Sequence, residues 1–275
     1  MPDIIVHTSF GAQVLERLAI DIDRDIYDFG LVGPDPFLFY RFYIAPFRHR
    51  ANRYSSTMHR ERTGDFLIEL IKRGKGDREV FSYAAGFLCH YALDSNTHPY
   101  INRKAKNSFP MHMAIEHKLD RMNGGKVRIP RFLPESMKDA VGGAITKIYG
   151  WDDAWEKFKQ GHRDMKPFYA IVTDESGWLD RIAGKTHTKL ALISYRSKVI
   201  DDMDLRGFYP LYNRAVDDAA RFIRSADDYV RDKIDEAALR EIIGNRSYIE
   251  RWYKQKKQVR YDARTRPAFC LFIYS

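Results

Sequence analysis

Histidine and acidic residues recur at four-residue intervals in the middle of the chain, and this spacing constrains the fold more than any other feature. His90, Asp94 and His98 form one set, and His112 and Glu116 form a second. On an α-helix, residues four positions apart lie one above the other on the same face. The pattern therefore predicts two neighbouring helices, each with a stripe of side chains that can bind metal inside a helical bundle.

Helical patterns extend over most of the chain, and strand signals are weak throughout. We expect the first helix to be capped by Thr8 or Ser9, and Pro99 to end the helix that carries the first set. Helical spacing of apolar residues covers residues 10–21, 60–73, 78–98, 112–122, 134–149, 152–162, 185–200, 213–235 and 235–243. The sequence thus predicts an all-α, single-domain multi-helix bundle over residues 1–245, followed by a basic, aromatic C-terminal segment over residues 246–275.

Composition excludes several classes of protein. The chain of 275 residues is 44% hydrophobic and 30% charged, which is typical of a soluble globular protein. It has no apolar run of about 18 residues, so we expect no transmembrane helix. The first residues lack a basic region followed by an apolar stretch, and the two cysteines, Cys89 and Cys270, suggest no disulfide framework. We therefore expect a cytoplasmic protein.

The formal net charge of +9 is partly concentrated in the C-terminal segment. Between Arg246 and Arg266 there are eight Lys or Arg residues against two acidic residues, together with four Tyr or Trp residues. Such a segment is able to make peripheral contact with an anionic membrane, and binding of nucleic acid is not excluded. The alternative is a solvated basic tail.

Three further residues stand out before residue 60: His7, Asp35 in a Gly-Pro-Asp-Pro turn, and His59. Taken singly, each has a structural explanation as a cap, a turn residue or a surface residue. Together with the two spaced sets they give five histidines and three carboxylates within the first 116 residues, enough for two or three zinc ions (Zn2+). One carboxylate that bridges two ions would support attack of a zinc-bound hydroxide on a phosphate ester.

The order of these residues resembles the zinc-dependent phospholipase C family, which is related in fold to the S1/P1 zinc nucleases. The resemblance covers roughly residues 5–120 and implies an all-α bundle with a trinuclear zinc site. It assigns one zinc ion to Asp35, His59, His90 and Asp94, a second to Asp94 and His7, and a third to His98, His112 and Glu116. It also implies catalytic roles for Asp35, as metal ligand or general base, and for the bridging Asp94.

The sequence departs from the secreted family members at two points. Their mature chains begin with a Trp that completes the site served by His7, whereas this chain begins with Met1-Pro2-Asp3. The four-residue separation of Asp94 and His98 is also shorter than theirs. We expect the first difference to affect the His7 site and the second to affect the position of the last zinc ion.

Several functions fit these observations. The leading hypothesis is a zinc-dependent, phospholipase C-like phosphodiester hydrolase whose substrate is a phospholipid or another phosphodiester. The alternatives are a nuclease-like or small-molecule phosphoesterase and a non-catalytic, metal-stabilised helical binding protein. A phosphohydrolase of the HD type is excluded because no histidine is followed directly by an aspartate.

Overall fold

The chain folds into α-helices without a β-strand in the part that the structure describes, as the sequence predicted. This computed structural model describes residues 4–246 except 107, 125, 174–175, 179–180, 182–191, 193 and 197. The helices are α1 (Ile4–Leu15), α2 (Arg24–Gly30), α3 (Pro36–Phe39), α4 (Ala45–Met58), α5 (Thr63–Arg73), α6 (Arg78–Ala105), α7 (Phe109–Asn123), α8 (Gly143–Tyr149), α9 (Ala154–Thr173), α10 (Phe208–Val230) and α11 (Glu236–Ile243). A 3-10 turn (Glu135–Met137) and a π turn (Lys138–Gly142) lead into α8.

Helix α6 is the central element of the bundle. Its 28 residues begin after Asp77, whose side chain accepts a hydrogen bond from Val80 N at 3.0 Å. It packs most extensively against α10 and α2, and also contacts α5, α7 and α1. Because neighbours surround it, most of its residues are buried.

The expected end of α6 at Pro99 was wrong, because the helix continues to Ala105. A proline inside a helix costs about 3 kcal/mol through a lost hydrogen bond and a steric clash. Ile101 and Ala105 lie beyond the proline and are fully buried. We infer that packing of this last part of the helix offsets the cost of Pro99.

Helix α1 begins earlier than predicted, and neither Thr8 nor Ser9 caps it. Thr8 lies inside the helix, where its hydroxyl donates to Ile4 O at 2.7 Å. The cap comes instead from α7, since the carboxylate of Asp120 accepts hydrogen bonds from Ile5 N at 3.2 Å and Val6 N at 2.8 Å. His7 therefore lies within α1 rather than before it.

Close approach of α2 and α6 positions the loop that follows α2. A Cβ atom on Gly86 would lie 2.1 Å from Tyr27 O, and one on Gly30 would lie 2.4 Å from Tyr83 O. The two glycines therefore allow the helix backbones to touch. As a result, the loop of residues 31–35 lies directly against the middle of α6.

Two other predictions fall partly or wholly outside the described residues. The helix expected over residues 185–200 lies mostly in the part that is not described, as does the C-terminal segment, of which only Arg246 is described. Contact of the C-terminal segment with a membrane therefore stays a prediction. In the described part of the chain, no helix has the length and apolar character needed to cross a bilayer.

We expect Asp120→Ala to lower the free energy of unfolding by about 2–4 kcal/mol, because two buried N–H groups lose their acceptor. Asp235→Ala is the matched control, since Asp235 caps the exposed start of α11 by accepting from Ala238 N. We expect that substitution to cost about 1 kcal/mol. Urea denaturation measures both values, and equal losses would contradict the assigned role of Asp120.

Candidate metal centre

The carboxylate of Asp94 lies at the centre of a buried cluster of imidazole rings. Its Oδ1 atom lies 3.4 Å from His7 Nε2 and 3.5 Å from His98 Nδ1. Its Oδ2 atom lies 3.3 Å from His59 Nε2 and 3.3 Å from His90 Nε2. Each carboxylate oxygen thus faces two ring nitrogens, and all five side chains are buried.

Helices α1, α4 and α6 deliver these side chains, and Asp35 joins them from the start of α3. His90, Asp94 and His98 project from one face of α6 at the predicted four-residue spacing, and His7 comes from α1. His59 lies at the end of α4 and not at the start of a helix at residue 60, since α5 begins only at Thr63. Asp35 precedes α3, and its Oδ1 atom lies 3.4 Å from His59 Nε2.

The second predicted set adjoins the first. His112 and Glu116 project from α7, and Glu116 Oε1 lies 2.6 Å from His112 Nε2 and 3.6 Å from His98 Nε2. His98 therefore links the two sets, because its Nδ1 atom faces Asp94 while its Nε2 atom faces Glu116. The short contact between His112 and Glu116 is an ordinary hydrogen bond, so an ion at this set requires the pair to separate.

Main-chain carbonyl groups orient two of the rings. His90 Nδ1 lies 3.1 Å from Leu31 O, and His59 Nδ1 lies 2.8 Å from Ser55 O. A carbonyl oxygen only accepts, so Nδ1 carries a proton in each ring, and Nε2 is the nitrogen that faces the cluster. Asn102 orients a third ring, since its amide oxygen lies 3.0 Å from His112 Nδ1.

Gly33 allows the Gly-Pro-Asp turn to pack on His90. Its φ angle is +51°, and a Cβ atom there would lie 2.3 Å from the His90 ring. The His90 ring also stacks on the His7 ring, with 4.6 Å between the centroids. Any side chain at position 33 would displace His90 and strain the backbone.

The donor geometry fits zinc. Zinc binds nitrogen at about 2.0–2.1 Å and carboxylate oxygen at about 2.0–2.2 Å, so two ligand atoms of a tetrahedral shell lie roughly 3.4 Å apart. The contacts of Asp94 with the four rings, at 3.3–3.5 Å, match that separation and are longer than typical hydrogen bonds. The contact between His59 Nε2 and His90 Nε2 is shorter, at 3.0 Å.

Several buried polar atoms of the cluster also lack a hydrogen-bond partner within the described residues. They are both ring nitrogens of His7, Oδ1 of Asp35 and both carboxylate oxygens of Asp94. Unpartnered buried polar atoms are costly, and a bound cation would satisfy most of them. Three groups of donors have ligand atoms within 4.8 Å of one another: His7, Asp35 and His90; His59, His90 and Asp94; and His98, His112 and Glu116.

Burial and charge set the protonation of the cluster. Burial lowers the pKa of His90 to about 4 and holds the pKa values of His98 and His112 well below their usual range. Burial also opposes protonation of His59, but the nearby carboxylates of Asp35 and Asp94 outweigh burial and raise the pKa of His59 to about 10. Burial opposes ionisation of Asp94, yet His98 and His90 hold its pKa well below the ordinary value.

The structure brings all eight sequence-predicted ligands into one buried region. Among the polar residues of α6 near the ligands, Asn102 contacts the cluster, whereas Asn96 and Thr97 bond to carbonyl groups of α6. Sequence reasoning missed Leu31 and Ser55, which act through their carbonyl oxygens. Residues Met1–Asp3, where family members complete the His7 site, lie outside the described part.

Comparison with known proteins gives one match. A family model described as zinc dependent phospholipase C matches residues 6–193, which is more than half of the chain and includes every candidate ligand. No curated protein and no solved structure matches the chain.

We expect Asp94→Asn to lower the zinc content of the purified protein more than Glu116→Gln does. The carboxylate of Asp94 faces four histidine rings, whereas that of Glu116 faces two. Elemental analysis of protein prepared without chelator measures the metal content. Asp164→Asn is the control. Asp164 is a similarly buried carboxylate in α9, and it accepts a hydrogen bond from Arg41 N. Metal content that is the same in all three variants would contradict the assignment.

We expect zinc binding at pH 8 to release protons. The pKa of His59 is about 10 without metal, so its imidazole is protonated at pH 8 and must lose that proton to become a ligand. His90, with a pKa of about 4, is already neutral. Zinc affinity should therefore rise with pH from 7 to 10. Calorimetry in buffers of different ionisation enthalpy measures the proton count, and a heat independent of buffer would contradict the expectation.

Proposed function

Because the chain belongs to the zinc-dependent phospholipase C family, we propose that it is a zinc-dependent phosphodiester hydrolase that acts on phospholipids. The bond cleaved would be the phosphorus–oxygen bond to the glycerol. The products are a diacylglycerol and a phosphorylated head group.

One observation carries the proposal: a single buried carboxylate, Asp94, faces four imidazole nitrogens at 3.3–3.5 Å. A carboxylate that contacts ligands on both of its oxygens is suited to bridge two ions. An isolated structural zinc site needs four ligands only, and it leaves no reason for a second set around Glu116.

We assign the ligands as the resemblance implies. Asp35, His59, His90 and Asp94 would hold one ion, Asp94 and His7 a second, and His98, His112 and Glu116 a third. When bound, zinc supplies Lewis-acid chemistry, which lowers the pKa of water and neutralises charge on a phosphate.

The protein's own groups then position the reactants and move a proton. Oδ1 of Asp35 has no hydrogen bond within the described residues and is directed into the cluster, so it can accept a proton from the attacking water. The water oxygen forms a bond to phosphorus as the bond to the glycerol oxygen breaks. Asp35 can then return its proton to the glycerol oxygen, which leaves as the alcohol of diacylglycerol.

A cavity beside the cluster favours a catalytic site over a purely structural one. His59, His90 and Asp94 line it together with apolar side chains that include Met58 and Phe87. Structural zinc sites are closed, whereas catalytic sites keep a position for water or substrate. The cavity leaves room for about one water molecule beside these ligands, at about 10 Å³, and water is the nucleophile that hydrolysis requires.

We expect the zinc-loaded protein to release diacylglycerol from phosphatidylcholine in mixed micelles, and a chelator to abolish the reaction until zinc is restored. Asp35→Asn should lower kcat by about 100-fold or more if Asp35 acts as general base. Mass spectrometry of the lipid products measures the reaction.

The same protein should be offered single-stranded nucleic acid and bis(p-nitrophenyl) phosphate. Cleavage of nucleic acid in preference to lipid would replace the lipid assignment with the nuclease alternative. Full zinc loading without hydrolysis of any phosphodiester would overturn the proposal and favour a non-catalytic protein.

A further inference from the structure

An arginine from outside the family-matched region lines the cavity beside the metal centre. The cavity has His59, His90 and Asp94 on its wall, and Arg246 lines the same cavity. Among the described residues that line it, Arg246 is the only Lys or Arg. The match to the family ends at residue 193, so this arginine is a feature that the family model does not supply.

The backbone around Arg246 is fixed to α6 next to the metal-binding face. The hydroxyl of Tyr91 donates towards Gly244 O at 3.1 Å and accepts from Arg246 N at 2.5 Å. Tyr91 follows His90 directly in sequence. On the other side, Asn245 Oδ1 accepts from Asp65 N in α5 at 3.2 Å. The main chain that carries Arg246 therefore has a defined position relative to the cluster.

Positive charge exceeds negative charge around the guanidinium group. Asp218 accepts from Arg246 Nη1 at 2.5 Å, from Arg221 Nη2 at 3.0 Å and from Asn96 Nδ2 at 3.2 Å. Two guanidinium groups thus share one carboxylate. If Arg246 turned to another anion, Asp218 would keep its bonds to Arg221 and Asn96, so no buried carboxylate would lose all its partners.

We propose that Arg246 is a substrate-binding residue whose guanidinium group donates hydrogen bonds to phosphate oxygens of the phosphodiester at the metal centre. This inference rests on the proposed function. A guanidinium group presents several N–H donors in a planar fork that matches a phosphate, and its side chain here is about one third exposed, at 32%.

The test compares Arg246→Gln with Arg221→Gln. Arg221 is the matched control because it pairs with the same Asp218 and also lies over the Phe222 ring, yet it does not line the cavity. On zinc-loaded protein, we expect R246Q to weaken binding of inorganic phosphate about tenfold, measured by calorimetry, and R221Q to change it less than about twofold. Zinc content should be the same in both.

For hydrolysis of bis(p-nitrophenyl) phosphate, R246Q should lower kcat/KM by about tenfold, and R246K should recover part of the loss because lysine keeps the charge without the fork. Thermal unfolding identifies a variant that fails to fold. If R246Q fails to fold, R246K is compared with R221Q instead. Equal effects of R246Q and R221Q on phosphate binding would overturn the inference. Tight phosphate binding that depends on Arg246 in a protein without hydrolytic activity would uphold it while refuting the proposed function.

Discussion

The structure depends on the accommodation of one buried negative charge. Asp94 lies buried in the central helix α6, where an ionised carboxylate without partners would cost several kcal/mol. Four imidazole rings, supplied by α1, α4 and α6, surround it. Helix α1 packs directly against α6, and His59 reaches Asp94 from the end of α4, so the surroundings of this one carboxylate link three helices.

Part of this was readable from the sequence. A four-residue spacing places side chains on one helix face whatever the surroundings, so the stripes on α6 and α7 were correctly predicted. Features that depend on tertiary contacts were not predicted correctly. The start of α1 is set by Asp120, which is more than 100 residues away, and the continuation past Pro99 is set by the burial of Ile101 and Ala105.

In the candidate metal centre, too, some features could be predicted from the sequence and others could not. Residue types with metal-binding side chains were identifiable because few other roles require so many of them together. The carbonyl groups of Leu31 and Ser55 orient His90 and His59, but every residue has a carbonyl group, so sequence alone gives no reason to select these two. Gly33 was recognised only as part of a turn, whereas its contact with His90 is visible only in three dimensions.

The bond between Asp120 and the start of α1 has a consequence for the order of synthesis. Val6 and Asp120 are separated by 114 positions, so α1 leaves the ribosome long before its cap exists. Asp120 also follows Glu116 by one helical turn on α7. The nascent chain therefore lacks the cap of α1 until α7 has been made, and that one helix brings both the cap and the donors His112 and Glu116.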